Sequence, residues 1–94
     1  MARIIDTKEK NLIGDNVRKY RIEKKMSQQV LSNKLETLGI YICRGSISRI
    51  EDKSRTVTDI EIYGLSKILG VSIENLFSSE NIDKHAECSL HSSL

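Results

Sequence analysis

The sequence predicts an all-α fold, a compact domain of five short helices, from three observations. The chain has 94 residues, no proline and only 4% aromatic residues, and it is rich in Ile, Leu, Lys and Glu. This composition suits short helices better than a sandwich of strands. Apolar residues also recur at helical spacing, and helix start signals recur along the chain. At this length we expect one domain with a small core, too short for a pocket-rich enzyme.

The start signals are four residues that can cap the N-terminus of a helix: Ser27, Cys43, Thr58 and Ser72. Each lies between two apolar residues that are five positions apart, a spacing typical of a hydrophobic staple. The pairs are Met26 and Leu31, Ile42 and Ile47, Val57 and Ile62, and Val71 and Leu76. Thr58 also has Glu61 three residues on, which completes a capping box. Cys43 is the weak cap, because sulfur accepts hydrogen bonds poorly.

Apolar stripes place the first two helices. The first is predicted over residues 12–25, and its stripe consists of Ile13, Val17, Tyr20 and the stem of Arg21. The second follows the cap at Ser27, and its stripe consists of Leu31, Leu35 and Leu38. Gly39 is expected to close this second helix, because glycine takes a positive φ at little cost.

The segment 43–52 is predicted to contain the third helix, and two further helices follow it. The fourth is predicted over residues 59–69 and ends before Gly70, and its stripe consists of Ile62, Leu65 and Leu69. The fifth is predicted over residues 73–77. We expect it to lay three apolar side chains over the core: Ile73, Leu76 and Phe77.

Both ends of the chain are predicted to lie outside this domain. Residues 1–11 are predicted to form an N-terminal arm, which could lie along phosphates, be disordered or pair with its copy in a dimer. Residues 78–94 are predicted to form a flexible polar tail, a candidate for binding a protein partner. The spacing of His85, Cys88 and His91 in this tail could bind a soft metal on a helix. A fourth ligand is missing, so we expect no metal and no cofactor.

The sequence also indicates in which compartment the protein acts and which classes of protein are not expected. No apolar run approaches the roughly 20 residues that span a bilayer, and the first residues lack the hydrophobic core of a signal peptide. The two cysteines, Cys43 and Cys88, fit neither a disulfide framework nor a zinc finger. We therefore expect a cytoplasmic protein without a membrane partner. No phosphate-binding glycine loop or Ser/His/Asp arrangement occurs, so we do not expect an enzyme.

Positive charge is concentrated in the first part of the chain. Residues 1–58 contain 13 Lys and Arg against 7 Asp and Glu, a net charge of +6, whereas residues 59–94 contain 2 against 6, a net charge of −4. This uneven distribution is expected where one face meets a polyanion, although basic surfaces also occur without that role.

The basic part includes residues 43–52, which read Cys-Arg-Gly-Ser-Ile-Ser-Arg-Ile-Glu-Asp. On a helix beginning near Arg44, Ile47 and Ile50 point inward. This leaves a polar face toward solvent that consists of Arg44, Gly45, Ser46, Ser48 and Arg49. Arginine presents a rigid fork of donors suited to guanine or phosphate, and a small polar face of this kind fits the major groove of DNA. The alternative is an ordinary solvated surface helix.

Three motifs in order along the chain carry a resemblance to a known family. They are Met26-Ser27-Gln28, Ile47-Ser48-Arg49-Ile50-Glu51 and Leu69-Gly70-Val71-Ser72. With them the chain resembles the Cro/C1-type (XRE family) helix-turn-helix regulators over residues 12–77. The resemblance implies a compact five-helix lambda-repressor-like DNA-binding domain, in which the third helix enters the major groove and the second crosses the backbone.

The resemblance also assigns roles to single residues. It implies base-edge contacts from Arg44, Gly45, Ser46 and Arg49, with Ser48 as a further candidate, and a phosphate contact from Gln28. It implies a structural ion pair between Arg21 and Glu51. A homodimer on two half-sites about one helical turn apart is expected. Its interface would come from the fifth helix and its flanks, around Ile73, Phe77 and Ile82.

The chain departs from the family pattern in two informative places. Between Leu35 and Ile47 it is about five residues longer, which predicts that the second helix is extended by about a turn. Tyr41 in this stretch could reach the sugar-phosphate backbone or plug the edge of the core, and we favour the core. The small residue usual after the glutamate is replaced by Asp52-Lys53, and we expect phosphate contacts from Lys53 and Arg55 instead.

Together these observations predict a sequence-specific DNA-binding transcriptional regulator that represses by occluding a promoter. The alternative is a helix-turn-helix module used for protein docking or dimerisation without specific DNA binding. The two differ in salt response, because phosphate contacts make affinity fall steeply as salt rises. A bacterial or phage repressor, an antitoxin partner and a developmental regulator are all compatible with the motifs.

Overall fold

The computed structural model of the chain describes residues 8–78, and this part contains five α-helices and no β-strand. The helices are α1 (Gly14–Glu23), α2 (Gln28–Glu36), α3 (Arg44–Glu51), α4 (Asp59–Leu69) and α5 (Ile73–Phe77). The predicted all-α fold of five helices is confirmed. α3 packs against α1 and α2, while α4 packs against α1, α2 and α5.

The four predicted caps all stand at the N-termini of helices. Ser27, Thr58 and Ser72 each accept a hydrogen bond from the backbone N–H three residues on, at 3.0–3.2 Å. Glu61 accepts in return from the Thr58 N–H at 3.0 Å, so the capping box is present. Cys43 makes no side-chain cap bond, as expected for sulfur. The starts of α2, α4 and α5 are therefore set by local hydrogen bonds.

α1 begins two residues later than predicted, with Ile13 as its N-cap residue, and the Asn11 side chain binds backbone N–H groups at this start. The Asn11 side-chain oxygen accepts from the N–H groups of Ile13 and Gly14 at 3.1 and 2.9 Å. Its amide nitrogen donates to the carbonyls of Ile50 and Arg55 at 3.1 and 2.9 Å. The last residue of the predicted N-terminal arm thus joins the start of α1 to the end of α3.

Four helices end in the same way, with a residue of positive φ that lets the next N–H bond to a carbonyl five residues earlier. These residues are Lys25, Gly39, Lys53 and Gly70, with φ between 59° and 79°. The two glycines adopt this conformation without penalty, as predicted. The two lysines carry a Cβ there, which costs roughly 1–2 kcal/mol each.

The predicted extension of the second helix is wrong. α2 ends at Glu36, and Leu38, which was expected on its apolar stripe, is exposed. The reason is the left-handed turn at Gly39, which directs the chain out of the helix. The extra residues form an irregular connection to α3 in which Ile42 is buried and Ile40 packs against the core.

The core forms where the five helices meet. Its buried side chains are Ile13, Val17, Met26, Leu31, Leu35, Ile42, Ile47, Ile50, Leu65, Leu69 and Leu76. All eight predicted staple residues either belong to this core or pack against it. From α5 only Leu76 is buried, whereas Ile73 and Phe77 are exposed. The prediction that all three cover the core is therefore wrong for two of them, because a five-residue helix has room for one inward side chain per turn.

Gly14 marks the closest approach of α1 to α3. A Cβ at this position would be in hard contact with the carbonyl oxygen of Ile50 and would lie 2.9 Å from that of Glu51. Both atoms belong to backbone, which moves less easily than a side chain. The absence of a side chain at Gly14 therefore sets the distance between the two helices.

Gly14→Ala is expected to lower the free energy of unfolding by about 1–3 kcal/mol, because the added methyl group forces α1 away from α3. Gly45→Ala is the matched control, since a Cβ there meets nothing closer than 3.8 Å. Alanine favours a helix, so the control should gain up to about 1 kcal/mol. Urea denaturation of both variants measures the difference, and equal stabilities would contradict the close packing.

Candidate nucleic-acid interface

α3 has one buried side and one polar side, as predicted. Ile47 and Ile50 are fully buried, while Arg44, Gly45, Ser48 and Arg49 are exposed and Ser46 is half-buried. The guanidinium of Arg49 donates to the Ser46 hydroxyl at 3.2 Å. Around Gly45 a Cβ would meet only the Arg49 guanidinium, at 3.8 Å. The helix therefore presents two arginines above a shallow, small-residue face.

The end of α3 is held by a buried ion pair. The structure places Arg21 of α1 against Glu51, with Nε–Oε2 and Nη2–Oε1 distances of 2.6 and 3.1 Å. The two side chains are only 11% and 6% exposed. Arg21 also donates to the Met26 carbonyl at 2.8 Å. This is the pair that the resemblance implied, and it joins α1 to α3 by charge as well as by packing.

Gln28 belongs to the same network. Its amide nitrogen donates to Glu51 Oε1 at 3.0 Å, and the side chain is half-buried. Gln28 is the first residue of α2, so the network also fixes the start of that helix beside α3. A phosphate contact from Gln28 stays a prediction. The Gln28 amide would have to donate a second hydrogen bond to the phosphate while it keeps the one to Glu51.

The two cations expected to contact phosphate from the loop are paired with carboxylates. Lys53 Nζ lies 2.9 Å from Asp15 Oδ2 and 3.2 Å from Glu9 Oε2. The hydrogen bond with Asp15 raises the pKa of Lys53. Partial burial acts in the opposite direction, and the hydrogen bond with Glu9 raises the pKa further. Arg55 binds both carboxylate oxygens of Glu61 at 3.1 Å. Phosphate would have to compete with these carboxylates, and both contacts stay predictions.

The Glu61 carboxylate shows how strongly Arg55 is engaged. Partial burial raises the pKa of Glu61, but hydrogen bonds from Arg55 and from Thr58 outweigh this effect and leave the pKa below its ordinary value. A lowered pKa in the folded state stabilises the fold above the unfolded-state pKa, and this contribution is lost as the pH falls. Arg55 therefore supports the start of α4 at neutral pH.

An open groove of about 460 Å³ runs between α1, the start of α2 and the end of α3. Its lining consists of Asp15, Arg18, Arg21, Gln28, Ser48, Glu51, Asp52 and Lys53. Three cations and three carboxylates share it, so the lining does not select for an anion. Arg18 was not predicted here, although it stands one helical turn before Arg21, a spacing that places both on one face of α1.

Tyr41 is exposed, which contradicts the expectation that it plugs the edge of the core. Its side chain is 78% exposed, although both neighbours are anchored. Ile40 packs against the core, Ile42 is buried, and the hydroxyl of Ser32 donates to the Ile42 carbonyl at 2.6 Å. Successive side chains of an extended segment point to opposite sides. Tyr41 is therefore presented to solvent three residues before Arg44.

Cys43 lies between Tyr41 and the polar face of α3. It is exposed, and its Sγ is 3.5 Å from the Ser46 hydroxyl. Hydrogen bonding from the side chain and backbone of Ser46 lowers the pKa of the Cys43 thiol, and the nearby Arg49 charge adds to this effect.

No model of a known protein family matches the sequence, and no curated protein is significantly similar to it. The likeness to Cro/C1-type regulators therefore rests on the motifs. Within residues 8–78, no helix has the length and apolar character needed to cross a membrane. The same range contains no group of three or more His, Cys, Asp or Glu side chains arranged to hold a metal ion.

Several predictions concern residues outside the described range. These are the first seven residues of the N-terminal arm, the tail from residue 79 onward, the spacing of His85, Cys88 and His91, and the assignment of Ile82 to a dimer interface.

Glu51→Ala is expected to lower the free energy of unfolding by roughly 3–5 kcal/mol, because it leaves the buried Arg21 guanidinium without its counter-charge. Glu23→Ala, at an exposed position of α1, is the control and should change stability by less than about 0.5 kcal/mol. Thermal and urea unfolding measure both variants. An unchanged melting temperature for Glu51→Ala would mean that the pair is dispensable.

Proposed function

We propose that the protein is a sequence-specific DNA-binding regulator that acts in the cytoplasm and represses transcription by occluding a promoter. The observation that carries the proposal is the exposed face of α3, where Arg44 and Arg49 flank Gly45 on a helix whose other side is fully buried. An α-helix with its side chains is about 10–12 Å across, close to the width of the major groove. Arginine binds guanine O6 and N7 through two parallel hydrogen bonds.

The electrostatics of α3 support the same function. Among residues 8–78, neither Arg44 nor Arg49 forms an ion pair with a carboxylate. Their guanidinium groups therefore do not have to leave a carboxylate before they bind DNA. Gly45 and Ser46 keep the surface between them low, which allows a base edge to approach. In this proposal the two arginines read bases and Ser46 and Ser48 contribute shorter-range hydrogen bonds.

Two copies of the domain are proposed to bind one operator. A single helix contacts only a few base pairs, so a dimer on half-sites one helical turn apart supplies the missing specificity. The operator is then two-fold symmetric, because the two copies are related by a two-fold axis.

A second candidate function is protein docking without specific DNA contact. It is favoured by the pairing of Lys53 and Arg55 with carboxylates, which leaves fewer cations available for phosphate. Exposed apolar residues on α4, Ile60 and Tyr63, also favour it. DNA binding is the preferred function, because protein docking does not explain why two arginines without carboxylate partners lie on the exposed face of α3.

Selection of bound fragments from random duplex DNA tests the proposal. The intact protein should enrich a two-fold symmetric site. The double variant Arg44→Ala with Arg49→Ala should lose at least about 30-fold in specific affinity, because each bidentate base contact contributes roughly 1–3 kcal/mol of discrimination. It should stay folded, since both side chains are exposed.

The matched control is Lys19→Ala with Lys24→Ala, which removes two positive charges from exposed positions on α1 and at its C-terminal cap. It should keep the same preferred site. No enrichment by the intact protein at low salt would reject DNA binding and favour the docking module. Equal losses in both double variants would show that charge alone, and not α3, determines binding.

Tyr41→Phe tests whether the exposed tyrosine touches the DNA backbone. A phenol donates a hydrogen bond to a phosphate oxygen, and hydrogen bonds to charged groups contribute enough for a loss of about tenfold in affinity. The salt dependence of binding should stay the same, because no cation is removed. Tyr20→Phe on α1 is the control, because Tyr20 packs against the core away from the exposed face of α3, and this variant should bind DNA like the intact protein. Equal affinities for both variants would exclude the contact.

A further inference from the structure

α4 turns an apolar patch toward solvent. Four residues share the side of the helix that faces away from the buried Leu65 and Leu69: Asp59, Ile60, Tyr63 and Lys67. Ile60 is 65% exposed and Tyr63 is 53% exposed. These are larger fractions than those of Ile73 and Phe77 on α5, at 46% and 44%. Burial of such apolar surface against a partner lowers the free energy, because the surface is removed from water.

The charges around this patch are arranged symmetrically. Asp59 stands four residues before Tyr63 and Lys67 stands four residues after it, so each lies about 6 Å from Tyr63 along the helix axis. An antiparallel pair of such helices, with the two-fold axis at Tyr63, would bring Asp59 opposite the partner's Lys67, and this contact occurs twice. A parallel pair would place like charges together, which is unfavourable. The face is therefore complementary to its own copy in one orientation.

We propose that this face of α4 binds a second copy of the chain, with the two α4 helices antiparallel about Tyr63. Contacts between the same patch on both subunits are the usual form of a two-fold dimer. Lys67 Nζ lies 5.4 Å from the centre of the Tyr63 ring, so the stem of Lys67 runs beside that ring and widens the apolar surface. The surface consists of Ile60, Tyr63 and this stem, and the two charge pairs fix its register.

The face of α5 lacks this complementarity. α5 has five residues, with Glu74 in its first turn and no basic residue in its last. Two copies of it would therefore meet without opposite charges to set their orientation. In this proposal two copies meet at the α4 face and not at the α5 face that the sequence predicted. The inference rests on α4 alone and holds whether or not α3 binds DNA.

Charge exchange tests the antiparallel arrangement, with the dissociation constant of the full chain measured by sedimentation equilibrium up to millimolar concentration. Lys67→Asp and Asp59→Lys each turn both opposite-charge contacts into like-charge contacts, and each should weaken the dimer about tenfold or more, because like charges that face each other across an interface repel. An equimolar mixture of these two variants should recover the dimer as a mixed species, because each chain then supplies the charge that the other lacks. Circular dichroism confirms that each variant is folded.

Two further variants separate the α4 face from other surfaces. Tyr63→Ser should weaken the dimer, whereas Phe77→Ser on α5 should leave the dissociation constant unchanged. A monomer at every concentration would overturn the proposal. A dimer that is lost in Phe77→Ser and kept in the charge variants would also overturn it and would place the interface on α5. A mixture of charge variants that stays monomeric would reject the antiparallel register.

Discussion

The contact between Arg21 and Glu51 is the interaction on which the arrangement of the first three helices depends. These residues are 30 positions apart in sequence, and Glu51 also binds Gln28 at the start of α2. Charges that leave water lose solvation, so a buried pair persists only when its donors and acceptors are used. Here they are used, and no buried side-chain polar atom within residues 8–78 lacks a partner. The pair therefore sets the orientation of α3 more than it adds to stability.

α3 is also held at its other end and along its side. The hydroxyl of Ser32 binds the Ile42 carbonyl just before the helix, and the amide of Asn11 binds the Ile50 carbonyl near its end. Between these points Ile47 is fully buried. A helix fixed in this way loses little conformational freedom when it meets a partner, which lowers the cost of binding. Its exposed arginines thus stand on a rigid support.

The cations near α3 fall into two groups with different surroundings. Arg44 and Arg49 lie on the exposed face without a carboxylate partner among the described residues, whereas Lys53 and Arg55 are held by carboxylates of the segment before α1 and of the helices α1 and α4. The second group stabilises the turn between α3 and α4, and Lys53 does so from a left-handed backbone position. Net charge along the sequence does not distinguish the two groups. The pairing with carboxylates does, and it decides how much positive surface is available to a polyanion.

The sequence by itself determined the fold class, the starts of four helices and the inward side of α3. These features depend on hydrogen bonds and side-chain spacing within about four residues, as at Thr58 with Glu61, and such interactions can be read along the chain. The ion pair of Arg21 with Glu51 followed from a resemblance and not from spacing. Only the tertiary structure decided the exposure of Tyr41, the end of α2 and the bonds of Asn11. It also decided the carboxylate partners of Lys53, one of which is 38 residues away. These features depend on which distant segments pack side by side, and that is fixed only when the core closes.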